Sequence, residues 1–191
     1  MAKPTREPWT PTRAQIAAAE GRTVPDVLAP QVRILFVGIN PGLYSGAVGH
    51  HFARPGNRFW KALHAGGLTD RLLSPFEERE LLSSRIGVTN LVRRATAGAG
   101  QLSDEELRAG STRLRAKVCR FEPQVVAFLG IGAYRVAFDR PHATLGLQPE
   151  DLCGARAWVL PNPSGLNAHY QLPELAEAFA ALRGTRARPI R

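Results

Sequence analysis

Lysine, cysteine and methionine are all scarce in this chain. Lys3, Lys61 and Lys117 are its only lysines, yet 25 Lys+Arg stand against 16 Asp+Glu, a formal net charge of +9 at pH 7. The basicity is therefore carried by arginine. Either it serves phosphate oxygens, which the planar guanidinium fork fits, or it reflects a genome-wide preference for arginine codons; composition leaves both open. Cys119 and Cys153 are far apart and form no C-x-x-C, zinc or iron–sulfur spacing. No metal and no cofactor are expected, and both cysteines read as free thiols of a reducing cytoplasm, with Cys119 on a buried helix face. No apolar run approaches the roughly 18 residues of a membrane span, and the polar, proline-bearing segment 1–12 is unlike a signal peptide. A soluble protein with no membrane partner is the expectation.

With 44% hydrophobic residues in 191, the chain has enough apolar surface for one good core. Segment 1–31, interrupted by Pro4, Pro8, Pro11, Pro25 and Pro30, reads as an arm with one short helix at 13–20. From residue 32 to 183, apolar strand-like runs (33–39, 86–92, 124–129, 157–160) alternate with helical patterns (57–66, 74–84, 103–120, 132–138, 173–183). Such alternation predicts an α/β fold, a mainly parallel sheet covered on both faces. Ser103 with Glu106 forms a capping box at the start of the longest helix, and Pro123 stops it. The tail 184–191, with Arg186, Arg188 and Arg191, is basic.

Two strands end in rigid corners. Residues 34–39 deliver Asn40 to Pro41-Gly42, and residues 157–160 run into Pro161-Asn162-Pro163-Ser164-Gly165-Leu166. Each corner places an uncharged amide at the strand end, where open α/β sheets keep their ligand chemistry. An asparagine orients water but hardly deprotonates it, which suits a reaction whose leaving group departs early from a cationic centre, such as hydrolysis of a nucleoside's glycosidic bond. The plain alternative is an Asn-Pro-Gly turn. Residues 43–56 read as a long functional loop. In it Phe52 either stacks on a flat heterocycle or plugs the core. His50-His51 lacks further metal ligands at useful spacing, and Gly130-Ile131-Gly132 is half a dinucleotide fingerprint, with Arg135 where the third glycine belongs.

Taken in order, Gly38-Ile-Asn-Pro-Gly42, Gly49-His-His-Phe52, Pro55-Gly-Asn-Arg-Phe-Trp-Lys61, Gly87-Val-Thr-Asn-Leu-Val92 and Asn162-Pro-Ser-Gly-Leu166 resemble the mismatch-specific uracil-DNA glycosylase and thymine-DNA glycosylase family. The resemblance covers about residues 32–183 and implies a three-layer α/β/α sandwich with a mainly parallel central sheet. It also implies a cytoplasmic, nucleoid-associated monomer that flips uracil mispaired with guanine, or thymine and other damaged pyrimidines, out of double-stranded DNA and hydrolyses its glycosidic bond. Asn40 and Asn162 would be catalytic. Ile39, Gly42, Ser45, His51, Phe52 and Asn57 would hold the base, with Phe52 stacked on it. Ser164, Gly165, Leu166 and Asn167 would enter the duplex with Leu166 as wedge, and Arg58, Lys61 and Arg93 would contact DNA. Ser45 and Leu166 follow the bacterial uracil branch, whereas Gly49-His50-His51 follows the thymine branch. Ala168 stands where bacterial relatives carry an arginine, and Arg93 where relatives carry an acid. With no lysine at either corner, a lyase step is not expected. Two other readings are a nonenzymatic reader of damaged DNA and a Rossmann-like nucleotide enzyme.

Overall fold

The structure is a computed structural model and describes residues 9–185. Strands β1 (Ile34–Gly38), β2 (Ile86–Asn90) and β3 (Val125–Leu129) are buried at every position, as strands covered on both faces must be. They run parallel to one another and to β5 (Ala155–Leu160), while β4 (Gly146–Leu152) closes one edge antiparallel, in the order β2-β1-β3-β5-β4. Side chains alternate across the sheet. Ile34 and Phe36 pack with helices α3 (Phe59–Ala65) and α6 (Leu172–Ala180) and the 3-10 helix Pro75–Ser84, whereas Leu35 and Val37 pack with α4 (Asp104–Phe121) and α5 (Ile131–Ala137). The result is an α/β/α sandwich. Strand β1 lies between β2 and β3, so the chain leaves it in one direction and returns on the other side. Such a switch point opens a crevice beyond the carboxyl ends of the strands.

Several expectations are revised. Strand β4 was unforeseen, because its sequence is polar and holds Pro149; the irregular register between Leu147 and Asp151 is what an edge strand tolerates. The segment 43–56 is not loop throughout, since α2 (Leu43–Val48) fills its first half and stops at Gly49, where φ is +78°. Residues 1–8 of the arm lie outside the described residues, and the remainder is fastened to the sheet: beyond the short helix α1 (Arg13–Ala17), Ala19, Val24 and Val27 are buried, and Val27 exchanges backbone hydrogen bonds of 2.9 and 2.7 Å with Val88. Arg186, Arg188 and Arg191 of the tail lie outside the described residues.

The cysteines are not free thiols. Cys119 and Cys153 are both exposed and form a disulfide, their Cα atoms 5.3 Å apart, well inside the span such a bond bridges. The last turn of α4 and the β4–β5 turn meet at the amino end of the sheet. That proximity arises from topology and leaves no trace in a separation of 34 residues.

Gly110 shows how tightly α4 seats on the sheet: a Cβ there would stand 2.6 Å from the Leu91 carbonyl oxygen. In an open helix Gly→Ala stabilises by about 1 kcal/mol, but a clash with backbone has no cheap relief. Gly110→Ala should therefore destabilise by about 1–3 kcal/mol, read as a lower urea midpoint at unchanged slope. A raised midpoint would show that α4 has room to shift.

Candidate active site

Three asparagines close the carboxyl edge of the sheet. Asn40 lies two residues past β1, Asn90 is the last residue of β2, and Asn162 lies two past β5. All three line one cleft of about 160 Å³. Drug-sized ligands occupy pockets from roughly 300 Å³ upward, so this one suits a single flat ring better than a dinucleotide.

Each amide is held by one end. Asn40 donates through Nδ2 to the carbonyls of Pro41 and Arg94, both at 3.1 Å, and to Thr96 Oγ1 at 2.7 Å. The buried Thr96 hydroxyl gives its own proton to the Gly98 carbonyl, which keeps it an acceptor toward Asn40. With Nδ2 engaged, Oδ1 is the free acceptor of Asn40. Asn162 is held the other way: Oδ1 accepts the Ser164 N–H at 2.9 Å, and Nδ2 is left as a donor. Asn90, buried, engages Nδ2 with His51 Nδ1 at 3.3 Å. Its Oδ1 hangs over Gly38, where a Cβ would come within 2.4 Å of it and within 3.2 Å of the Phe52 ring. Only glycine at 38 allows both side chains to approach the floor of the cleft.

The Phe52 ring stacks on Phe59 with centroids 4.1 Å apart, and its backbone is left-handed, φ +52°. A phenylalanine holds that conformation only when its surroundings enforce it. Here the buried Glu78 carboxylate accepts the His51 N–H at 2.8 Å and meets His50 Nδ1 at 2.9 Å, while Ser45 Oγ accepts the Ala53 N–H at 3.1 Å. The His51 ring, buried, reaches the Pro25 carbonyl of the arm through Nε2 at 3.0 Å. Burial pushes the His51 pKa down, partly opposed by Glu78, the Pro25 hydrogen bond and Asp26, with His50 adding to the depression. Both ring nitrogens of His51 are thus taken up inside the protein, and His50 is tied to Glu78 through Nδ1.

Opposite Phe52, the loop carrying Ser164 to Tyr170 is braced from beneath. Arg58 donates to the carbonyls of Ser164, Asn167 and Tyr170, each at 2.6 Å, and its backbone N–H donates to the Pro163 carbonyl at 2.9 Å. Gly165 touches the Gly56 backbone, where a Cβ would meet the carbonyl oxygen at 2.7 Å. Leu166 on this loop is 73% exposed.

Of the residues expected at the site, Asn40, Asn162, Ile39, Gly42, Ser45, His51, Phe52, Asn57, Ser164 and Leu166 line the cleft. Gly165 and Asn167 stand in the same loop. Asn57 Oδ1 also accepts the Phe59 N–H at 2.9 Å, where α3 begins. Lys61 and Arg93 are exposed and do not line the cleft, and Arg58, expected at DNA, serves as an internal brace. Asn90, Thr96 and Glu78 were missed. Asn90 carried a signal, an amide closing an apolar strand just as at Asn40; Thr96 and Glu78 carried none, because their partners lie far away in sequence.

A sequence profile described as the Uracil DNA glycosylase superfamily matches residues 25–183. The chain belongs to that superfamily. A solution NMR structure from Methanosarcina acetivorans, whose own assignment as a uracil DNA glycosylase is provisional, matches with a TM-score of 0.59 at 24% identity, covering 85% of this chain and 96% of that one. This likeness carries the fold. Membership makes the protein a DNA glycosylase, a hydrolase of N-glycosyl bonds in DNA, and implies base-excision repair.

For this glycosylase the buried His51 makes a signed prediction. Its pKa is lower folded than unfolded, so the unfolded chain binds the proton more readily. The stabilisation is complete above the usual value near 6.5 and is lost as pH falls from there toward the folded value. Imidazole ¹⁵N NMR should find His51 neutral at pH 6.5, and a midpoint at or above that pH would contradict the burial argument.

Proposed function

We propose that the protein is a monofunctional glycosylase of the mismatch-specific branch, which flips uracil opposite guanine out of double-stranded DNA and hydrolyses its N-glycosidic bond. The observation that carries this is the convergence of three pre-oriented amides on one narrow cleft beneath an exposed leucine. Phe52, backed by Phe59, offers its free face to the flipped ring, worth about 1–3 kcal/mol per base in stacking. The Asn90 Oδ1 meets a donor on the base's pairing edge. As the C1′–N1 bond breaks, its electron pair leaves with the base, and the Asn162 Nδ2–H offsets the charge that develops there. The Asn40 Oδ1 accepts a hydrogen bond from the water whose oxygen bonds to C1′; the proton that water loses passes to solvent as the C1′ hydroxyl forms, and the released base anion takes a proton from solvent.

Among the described residues no carboxylate and no lysine lines the cleft, and Arg54 is its one charged side chain. Slow hydrolysis without a Schiff base follows. Leu166 fills the space the base vacates. Unstacking costs a few kcal/mol and less at a mispair, so such a wedge favours mismatched uracil. Lys61 and Arg93, exposed and outside the cleft, suit phosphate contacts.

Asn40→Ala should slow single-turnover release of uracil from a G·U duplex by at least about a hundredfold, with duplex affinity nearly intact, because the water is positioned mainly in the transition state. Near-normal release would remove Asn40 from the mechanism, and wild-type binding without release would make the protein a reader rather than an enzyme.

Leu166→Ala should reduce excision from duplexes more than from single strands, which incur no unstacking cost of roughly a few kcal/mol. Equal losses on both substrates would point to a packing role for Leu166.

A further inference from the structure

We infer that the Pro25 carbonyl and the His51 imidazole fix the orientation of the Asn90 amide, and thereby choose which pyrimidine edge the cleft accepts. The inference rests on the reading of the cleft as a base pocket.

A carbonyl oxygen only accepts hydrogen bonds, so the His51 Nε2 that faces Pro25 at 3.0 Å carries the ring's proton. In a neutral imidazole Nδ1 is then an acceptor. Asn90, 3.3 Å away, must present its NH₂ end to it. The Oδ1 is turned onto Gly38, where no described residue donates to it. A carboxamide is nearly symmetric in shape, and an unanchored one offers either end. Here one irreversible polarity, set by a backbone oxygen of the arm, passes through a ring to a side chain at the end of β2.

The chemical consequence is selective. An acceptor on the floor of the cleft pairs with N3–H of uracil or thymine. Cytosine presents a lone pair at N3, and two buried acceptors facing each other lose both hydrogen bonds to water. Sites that hydrogen-bond a donor reject analogues lacking it by about 10⁴–10⁵. His51 is 2% exposed, with both ring nitrogens taken up inside the protein. It acts on the base only through Asn90 and is a positioning residue. Glu78 supports it by holding its backbone N–H at 2.8 Å.

Two measurements on the full chain test this. Imidazole ¹⁵N NMR at pH 7 should show His51 neutral with its proton on Nε2; a proton on Nδ1 would overturn the relay, whatever the fate of any variant. Single-turnover release is then compared for wild type and His51→Leu on duplexes carrying 5-fluorouracil, 5-fluorocytosine or N3-methyluracil opposite guanine, the fluorine making both bases better leaving groups. Wild type should reject fluorocytosine and N3-methyluracil. In His51→Leu the freed amide should raise the ratio of fluorocytosine to fluorouracil release by at least about tenfold. Rejection of N3-methyluracil by wild type, with an unchanged ratio or no fluorocytosine release in a folded His51→Leu, would sink the relay and leave the pocket assignment standing. Efficient release of N3-methyluracil by wild type would instead defeat the edge reading itself. Should His51→Leu fail to fold, the tautomer decides.

Discussion

Each of the three asparagine amides at the carboxyl edge of the sheet is divided between the protein and the cleft. Asn40 and Asn90 each commit Nδ2 inward and keep an oxygen outward, and Asn162 does the reverse. A buried amide left wholly unpaired costs a few kcal/mol, and one paired at both ends has nothing left for a ligand. Half-commitment satisfies both demands. It also removes the rotational freedom that an asparagine in water would have to lose on binding, so the hydrogen-bonding pattern exists before a base arrives.

The rest of the fold keeps those halves in place. Backbone bonds lace the corner after β1 to the segment after β2: Leu91 N–H to the Gly38 carbonyl at 2.8 Å, Val92 N–H to Ile39 at 2.8 Å and Thr96 N–H to Pro41 at 3.1 Å. The same segment is tied to α4 through Arg94 and Glu106, whose carboxyl pKa the Arg94 hydrogen bond pulls down to about 2. On the other side Arg58 gathers three carbonyls of the Leu166 loop. An exposed leucine on a floppy loop would fold back onto the surface, whereas one on a loop held at its base stays available to solvent or to a partner.

The parallel sheet was legible because continuous apolar runs such as residues 34–38 and 125–129 have no stable place except between two helical layers. Helix α4 was legible from local chemistry, its Ser103–Glu106 box forming with hydrogen bonds of 3.0 and 3.2 Å. Strand β4 was hidden, since an edge strand half in water has neither a continuous nor an alternating apolar pattern to display. The disulfide was hidden too: two cysteines on different elements become neighbours only when the topology is known.

What the sequence by itself determined was the ordered set of strand-end motifs, and with it which residues arrive at the carboxyl edge, because chain order and strand length place a corner residue with no help from distant contacts. Only the tertiary structure decided what those residues present. The acceptor at Asn90 depends on His51 and on the Pro25 carbonyl of the arm; the fixed Asn40 amide depends on Thr96; the poise of Leu166 depends on Arg58. Hydrogen-bond polarity is a property of pairs. Where the partners lie tens of residues apart, it exists only after the chain has folded.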